Sequence, residues 1–127
     1  MAKKIVILNG SPRKNGNTSA LTAAFQRGAE EAGNTVTEFH LSDMNINGCL
    51  GCWGGGKDFA GKDCALITCC EEADMSVMDG VRVPMERTAA LLKWNMVGEV
   101  LVPGVLETGA IDKTDGCKQA AALAEKF

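Results

Sequence analysis

Residues 4–19 read Lys4-Ile5-Val6-Ile7-Leu8-Asn9-Gly10-Ser11-Pro12-Arg13-Lys14-Asn15-Gly16-Asn17-Thr18-Ser19. The apolar run from Ile5 to Leu8 lies between lysines and turn-forming residues, which is typical of a strand buried on both faces of a parallel sheet. From Gly10 to Ser19 the chain holds glycine, proline and small polar residues. The stretch therefore predicts a strand that ends in a loop.

A helix is predicted directly after this loop. Leu21, Phe25, Gly28 and Ala32 recur at helical spacing, and Gly33-Asn34 is typical of a left-handed helix stop. A loop between a strand and a helix N-terminus presents unpaired backbone N–H groups at the positive end of the helix dipole. The sequence therefore predicts an anion site here, and a plain strand-to-helix connection is the alternative.

Two better-known phosphate loops do not match this stretch. Five residues separate Gly10 from Gly16, and Asn17-Thr18 follows where the P-loop requires Lys-Ser or Lys-Thr. The dinucleotide pattern G-x-G-x-x-G is missing because Ser11-Pro12 follows Gly10. A loop of another kind is indicated.

The rest of the sequence alternates between strand and helix patterns. The predicted elements after the first helix are an edge strand over 35–41, a strand over 65–70, a helix that starts at Pro84, a strand over 97–105, and a last helix capped by Thr114 or Asp115. The order β-α-β-β-α-β-α is typical of an α/β sheet. Residues 42–62 are glycine-rich and irregular, which indicates a functional loop or a missing element.

Length and charge narrow the class of protein. With 127 residues, 46% of them hydrophobic, the chain fits a single globular domain over residues 1–127. A net charge of −3 argues against nucleic acid as the main partner. No apolar run approaches the roughly 20 residues that span a bilayer, and no signal peptide is recognisable. We expect a cytoplasmic protein with no membrane partner.

Six cysteines in such a chain are expected to be reduced thiols. Cys49 and Cys52 have the spacing of two thiolate ligands, but a cubane iron-sulfur cluster takes four. We expect no metal, with Cys49 and Cys52 as the candidates if one binds. A cysteine-ligated metal redox protein therefore stays as an alternative.

The stretch Lys4–Arg13, together with Gly16-Asn17-Thr18, resembles the opening of the NADPH-dependent FMN reductase family. The likeness extends to iron-sulfur flavoproteins, because Cys49-Leu50-Gly51-Cys52-Trp53 resembles the cysteine-rich segment that many of them carry. Residues 65–70 and 94–105 resemble the family's fourth and fifth strands. The resemblance implies a flavodoxin-like three-layer α/β sandwich with strand order 2-1-3-4-5.

The resemblance also implies a site. Five residues would hold the phosphate of FMN: Ser11, Arg13, Asn17, Thr18 and Ser19. Thr68, Cys69 and Cys70 would lie near the isoalloxazine ring. The implied function is an FMN-binding oxidoreductase that uses NAD(P)H as electron donor. Catalytic side chains stay unknown, since in such proteins the cofactor carries the chemistry.

One part of the family pattern has no counterpart in the sequence. Nothing in residues 53–64 resembles the family's third strand or the Pro-Val-Tyr-Trp-like loop after it, and the chain has no tyrosine. We therefore expect an internal deletion and a parallel sheet reduced to about four strands, in spatial order 2-1-3-4. One helix would leave part of such a sheet uncovered, which predicts a homodimer. The alternative function is a shortened scaffold without catalysis that binds FMN weakly or not at all.

Overall fold

The fold consists of parallel strands and helices in alternation. The structure is a computed structural model that describes residues 1–48 and 60–127. Its strands and α-helices are β1 (Lys4–Asn9), α1 (Asn17–Glu31), β2 (Thr35–His40), β3 (Asp63–Cys69), α2 (Asp79–Leu92), β4 (Asn95–Val102) and α3 (Gly116–Ala124). This order confirms the α/β class that the sequence predicts.

Helix α1 begins and ends as the sequence pattern indicates. Gly16 precedes it in an extended conformation. At the other end, the N–H groups of Gly33 and Asn34 donate to the carbonyls of Glu30 and Ala29. Gly33 has a φ of +86°, which a residue without Cβ adopts at little cost. The predicted left-handed stop is confirmed.

Helix α2 begins five residues earlier than predicted, at Asp79 instead of Pro84. A 3-10 turn over Met75–Met78 precedes it, and the Asp74 carboxylate caps that turn by accepting the Ser76 N–H at 2.9 Å. This cap starts the helical segment upstream of the proline. Pro84 is therefore the sixth residue of α2 and lies inside the helix, where it cannot donate to the carbonyl four residues earlier.

The described strands form two separate ladders instead of one continuous sheet. β1 pairs in parallel with β2, and β3 pairs in parallel with β4. Within residues 1–48 and 60–127 no strand ladder joins β1 to β3, so the predicted order 2-1-3-4 is not observed as one hydrogen-bonded sheet. An ion pair of 2.8 Å between the Lys3 ammonium and the Asp63 carboxylate links the starts of the two strands.

One hydrophobic core spans both ladders. Helices α1 and α3 pack against each other and against the strands. The core residues come from β1, β4, both helices and the segment after β4: Ile5, Leu21, Ala24, Phe25, Ala29, Val100, Val102, Val105, Ile111, Ala120, Leu123 and Ala124. Helix α2 contacts β3 and β4.

Helices α1 and α3 approach each other closely at Gly28. A Cβ added at this glycine would lie 2.7 Å from the carbonyl oxygen of Ala121 and 3.1 Å from its Cα. Only a residue without a side chain fits this approach. The contact brings the two helices together beside the core.

The face of β1 and β2 that points away from α1 remains exposed in the described structure. Leu8 and Phe39 are register partners, and Val6 lies two residues before Leu8 on the same side of β1. Their exposed fractions are 59% for Val6, 67% for Leu8 and 42% for Phe39. These three side chains form the outer apolar patch.

Candidate functional site

A cleft of about 440 Å³ lies where β1 and β3 end and α1 begins. Ligands of open α/β sheets bind outside the carboxyl ends of the strands, which is the position of this cleft. Its lining comes from the loop after β1, the start of α1, the end of β3 and the segment after β4: Ser11, Arg13, Gly16, Asn17, Thr18, Cys69, Cys70, Glu71, Val105 and Leu106.

The cleft brings together six of the eight residues that the family resemblance assigns to a flavin site. Ser19 and Thr68 are not among its lining residues. The Ser19 hydroxyl donates instead to the Arg13 carbonyl at 3.2 Å. Cys69 packs toward the core on the α1 side, so the alternation of β3 places Thr68 on the opposite face of the sheet.

The loop after β1 is held in shape by its own hydrogen bonds. The Asn9 side-chain carbonyl accepts the Ser11 N–H at 3.0 Å. The Ser11 hydroxyl accepts the Arg13 N–H at 3.3 Å and donates to the Arg13 carbonyl at 3.2 Å. The Gly16 N–H also donates to that carbonyl. Ser11 therefore shapes the loop from within, in addition to lining the cleft.

Asn9 anchors this loop from below and was not singled out by the sequence. Asn9 is 1% exposed, and its side-chain amide donates to the Glu38 carboxylate at 2.9 Å. The Thr22 hydroxyl donates to the same carboxylate oxygen at 2.9 Å. The only signal in the sequence was a polar residue at the end of an apolar strand. A buried amide with partners on α1 and β2 fixes the loop relative to both.

Donors for an anion remain at the start of α1. The N–H groups of Asn17, Thr18 and Ser19 lie in the first turn of the helix, where no intrahelical acceptor exists. In the described part of the chain no other acceptor is bonded to them. The first turn carries no acidic residue. The Arg13 guanidinium is exposed and has no ion pair among the described residues. This donor set fits a phosphate group.

The end of β3 contributes two thiols to the cleft. The Cys69 thiol lies 3.6 Å from the Thr18 hydroxyl, and the Cys70 thiol donates to the Glu72 carbonyl at 3.3 Å. The cysteines in the described ranges are free thiols. Away from the cleft, burial raises the pKa of the Cys64 thiol, and the charge of Asp63 adds to this effect.

Asn17 makes contacts that the sequence did not indicate. Its side-chain amide donates to the Glu107 carbonyl at 2.9 Å. Its side-chain carbonyl accepts the Gly109 N–H at 2.9 Å and the Ile111 N–H at 3.4 Å. These bonds tie the start of α1 to the segment after β4. That segment also supplies Val105 and Leu106 to the cleft, and its only sequence signal was the turn Pro103-Gly104.

The predicted metal candidates, Cys49 and Cys52, lie outside the described residues. Among residues 1–48 and 60–127 no group of three His, Cys, Asp or Glu side chains could hold a metal ion. None of the helices in these ranges is both long and apolar enough to cross a membrane.

Comparison with known proteins assigns this arrangement to a family. No curated protein matches the chain. Among solved structures, an NAD(P)H:quinone oxidoreductase from Methanothermobacter marburgensis has a similar fold, with a TM-score of 0.66 and 11% identity over 98% of each chain. The sequence model of the NADPH-dependent FMN reductases matches residues 3–80, which include β1, the loop, α1 and the thiols at the end of β3. The chain belongs to the NADPH-dependent FMN reductase family.

Proposed function

We propose that the protein is an NAD(P)H-dependent flavin oxidoreductase that binds FMN in the cleft at the carboxyl ends of β1 and β3. One observation carries this proposal: the unbonded N–H groups of Asn17 and Thr18 and the unpaired residue Arg13 lie at one cleft. A phosphate monoester complements such a donor set. Thr18 would add its hydroxyl to the same group.

The rest of the cleft suits the uncharged part of FMN. Its volume lies in the range of small-ligand sites. With the phosphate at the start of α1, Cys69 and Cys70 on one side and Leu106 on the other would hold the uncharged part of the molecule. When bound, the flavin supplies the redox chemistry, taking up a hydride from NAD(P)H and delivering two electrons to an acceptor. The side chains of the cleft bind and orient it.

A titration of the purified protein with flavins tests this function. We expect FMN to quench the fluorescence of the protein on binding. We also expect FMN to bind far more tightly than riboflavin, which lacks the phosphate. Hydrogen bonds to a charged group contribute about 1.5–3 kcal/mol each, so losing two of them changes the dissociation constant by at least a hundredfold. Equal affinity for the two flavins would refute the phosphate site.

A matched pair of variants separates the cleft from the rest of the fold. Thr18→Val removes a hydroxyl from the cleft. Thr37→Val makes the same change at an exposed position of β2, away from the cleft. We expect Thr18→Val to weaken FMN binding about tenfold and Thr37→Val to leave it unchanged. If neither flavin binds the wild-type chain, the shortened scaffold without catalysis is the better description.

We further propose that the protein is a cytoplasmic homodimer and that its shortening removed the family's third strand. The support for the dimer is the outer apolar patch of Val6, Leu8 and Phe39, since both faces of a parallel sheet are normally covered. Leu8→Lys places a charge in this patch. We expect the wild type to sediment as two chains and Leu8→Lys as one. A folded wild-type monomer at micromolar concentration would refute the dimer.

A further inference from the structure

Asn17 occupies an unusual position because its side chain bonds to residues about ninety positions away in the sequence. The amide hydrogen bond to Glu107 and the two bonds accepted from Gly109 and Ile111 all reach the segment after β4. The family resemblance implies that this side chain holds the FMN phosphate. In the structure its carbonyl and one of its two amide hydrogens are already engaged in the protein.

The segment that Asn17 holds forms one wall of the cleft. Its first part is fixed without Asn17, because the Val105 N–H donates to the Cys70 carbonyl and the Gly104 N–H to the Glu72 carbonyl. Leu106, which lines the cleft with 56% of its surface exposed, lies between these bonds and the Asn17 bonds. The position of Leu106 therefore depends on Asn17 at its far side.

We infer that Asn17 is a positioning residue: it fixes the Leu106 wall against the start of α1 and so shapes the part of the cleft that receives the uncharged portion of the flavin. This inference rests on the proposed function and reassigns one residue within it. In this role the phosphate takes the backbone N–H of Asn17 and not its side chain, whose carbonyl is bonded to Gly109 and Ile111. The wall contacts a part of the ligand that FMN and riboflavin share.

The two roles predict different ligand dependence. If the Asn17 side chain held the phosphate, Asn17→Ala would weaken FMN and leave riboflavin unchanged. If it positions the wall, Asn17→Ala weakens both flavins by the same factor, about tenfold, and the ratio of their dissociation constants stays within twofold of the wild type. Asn95→Ala is the matched control, since it removes an amide that bonds to Asp63 at the opposite end of the strands.

Asn17→Asp provides a rescue arm. Aspartate keeps an oxygen that accepts the Gly109 and Ile111 N–H groups but loses the donor to Glu107. With riboflavin, which carries no phosphate, we expect Asn17→Asp to recover at least half of the affinity lost in Asn17→Ala, expressed in logarithmic units. A side chain that merely stabilised the fold would show no such recovery at equal thermal stability.

Hydrogen exchange of the ligand-free chain reports on the wall itself. We expect the Gly109 and Ile111 amides to exchange at least tenfold faster in Asn17→Ala, with the amides of β1 and β2 unchanged. Unchanged exchange at these two amides, or a loss confined to FMN, would overturn the positioning role while leaving the FMN proposal intact. Failure of the wild type to bind either flavin would overturn both.

Discussion

Replacing Gly28 with alanine tests the close approach of α1 and α3. The new Cβ would lie 2.7 Å from the Ala121 carbonyl oxygen, whereas carbon–oxygen contacts ordinarily begin near 3.3 Å. Helix α3 must therefore shift by about 0.6 Å. The obstructing atoms belong to the backbone, so no side-chain rotation relieves the contact.

Two effects of opposite sign compete in this variant. Alanine stabilises a helix interior by about 1 kcal/mol relative to glycine, while overpacking of this kind costs about 1–3 kcal/mol. Gly80→Ala in α2 is the control without overpacking, because a Cβ at Gly80 meets nothing within 4 Å. Gly80 lies in the first turn of its helix, so its propensity gain is smaller than at Gly28, and the overpacking cost of about 1–3 kcal/mol dominates the difference in unfolding free energy between the two variants.

Urea unfolding followed by circular dichroism measures this difference. We expect the midpoint of Gly80→Ala to rise slightly and that of Gly28→Ala to fall, with the two separated by about 1 M at an ordinary m-value. The slopes should match that of the wild type. If both midpoints rise by the same amount, α1 and α3 are not packed as described, and the reasoning fails.

Three further predictions concern charge and thiol chemistry. Lys3→Met removes the larger of the two side-chain hydrogen bonds that lower the pKa of Asp63, the other coming from Asn95. By NMR titration that pKa should rise toward its ordinary value. The wild type has the matching stabilisation above the unfolded-state pKa and loses it as pH falls through the folded-state pKa, so the variant should lose part of it at neutral pH. If the pKa of Asp63 is the same in Lys3→Met as in the wild type, the ion pair between Lys3 and Asp63 does not form. Iodoacetamide should modify Cys69 more slowly when FMN is bound, with no protection of Cys64 at the other end of β3, and mass spectrometry of the alkylated peptides decides this. Glu71→Gln removes a carboxylate from the cleft and should strengthen FMN binding several-fold without changing riboflavin binding; an equal gain for both flavins would mean that Glu71 does not act on the phosphate.

The spacing of apolar and polar residues correctly predicted the elements whose conformation depends on neighbouring residues in the chain. The apolar run Ile5–Leu8, the small polar loop and the periodic helix after it occur as β1, the loop and α1. The family's strand order then placed Cys69 and Cys70 beside the loop, and the structure brings them to the same cleft. The part of the cleft formed by the loop after β1, the start of α1 and the two cysteines thus follows from the alternation of strands and helices along the chain and from the rule that ligands bind at the carboxyl ends of parallel strands.

The remaining features depend on contacts between distant segments. The Asn17 bonds to the segment after β4 span about ninety residues, and no spacing in the sequence signals them. The same holds for the hydrogen bond from buried Asn9 to half-buried Glu38. The start of α2 was misplaced because proline is a strong local signal, whereas the Asp74 cap is a weak one. Ladder formation between β1 and β3 likewise depends on register and spacing, which periodicity does not encode.

The absence of a β1–β3 ladder in the described chain has a mechanical consequence. Within residues 1–48 and 60–127 the two strand pairs are joined through the helical layer and the Lys3–Asp63 ion pair. The cleft lies at the carboxyl ends of β1 and β3, with α1 on one side and β3 on the other. Any molecule that spans the cleft contacts both the β1–β2 side and the β3–β4 side and so links the two strand pairs. Because such a molecule binds the folded chain and not the unfolded one, it raises the free energy of unfolding, by an amount that grows with its concentration relative to the dissociation constant.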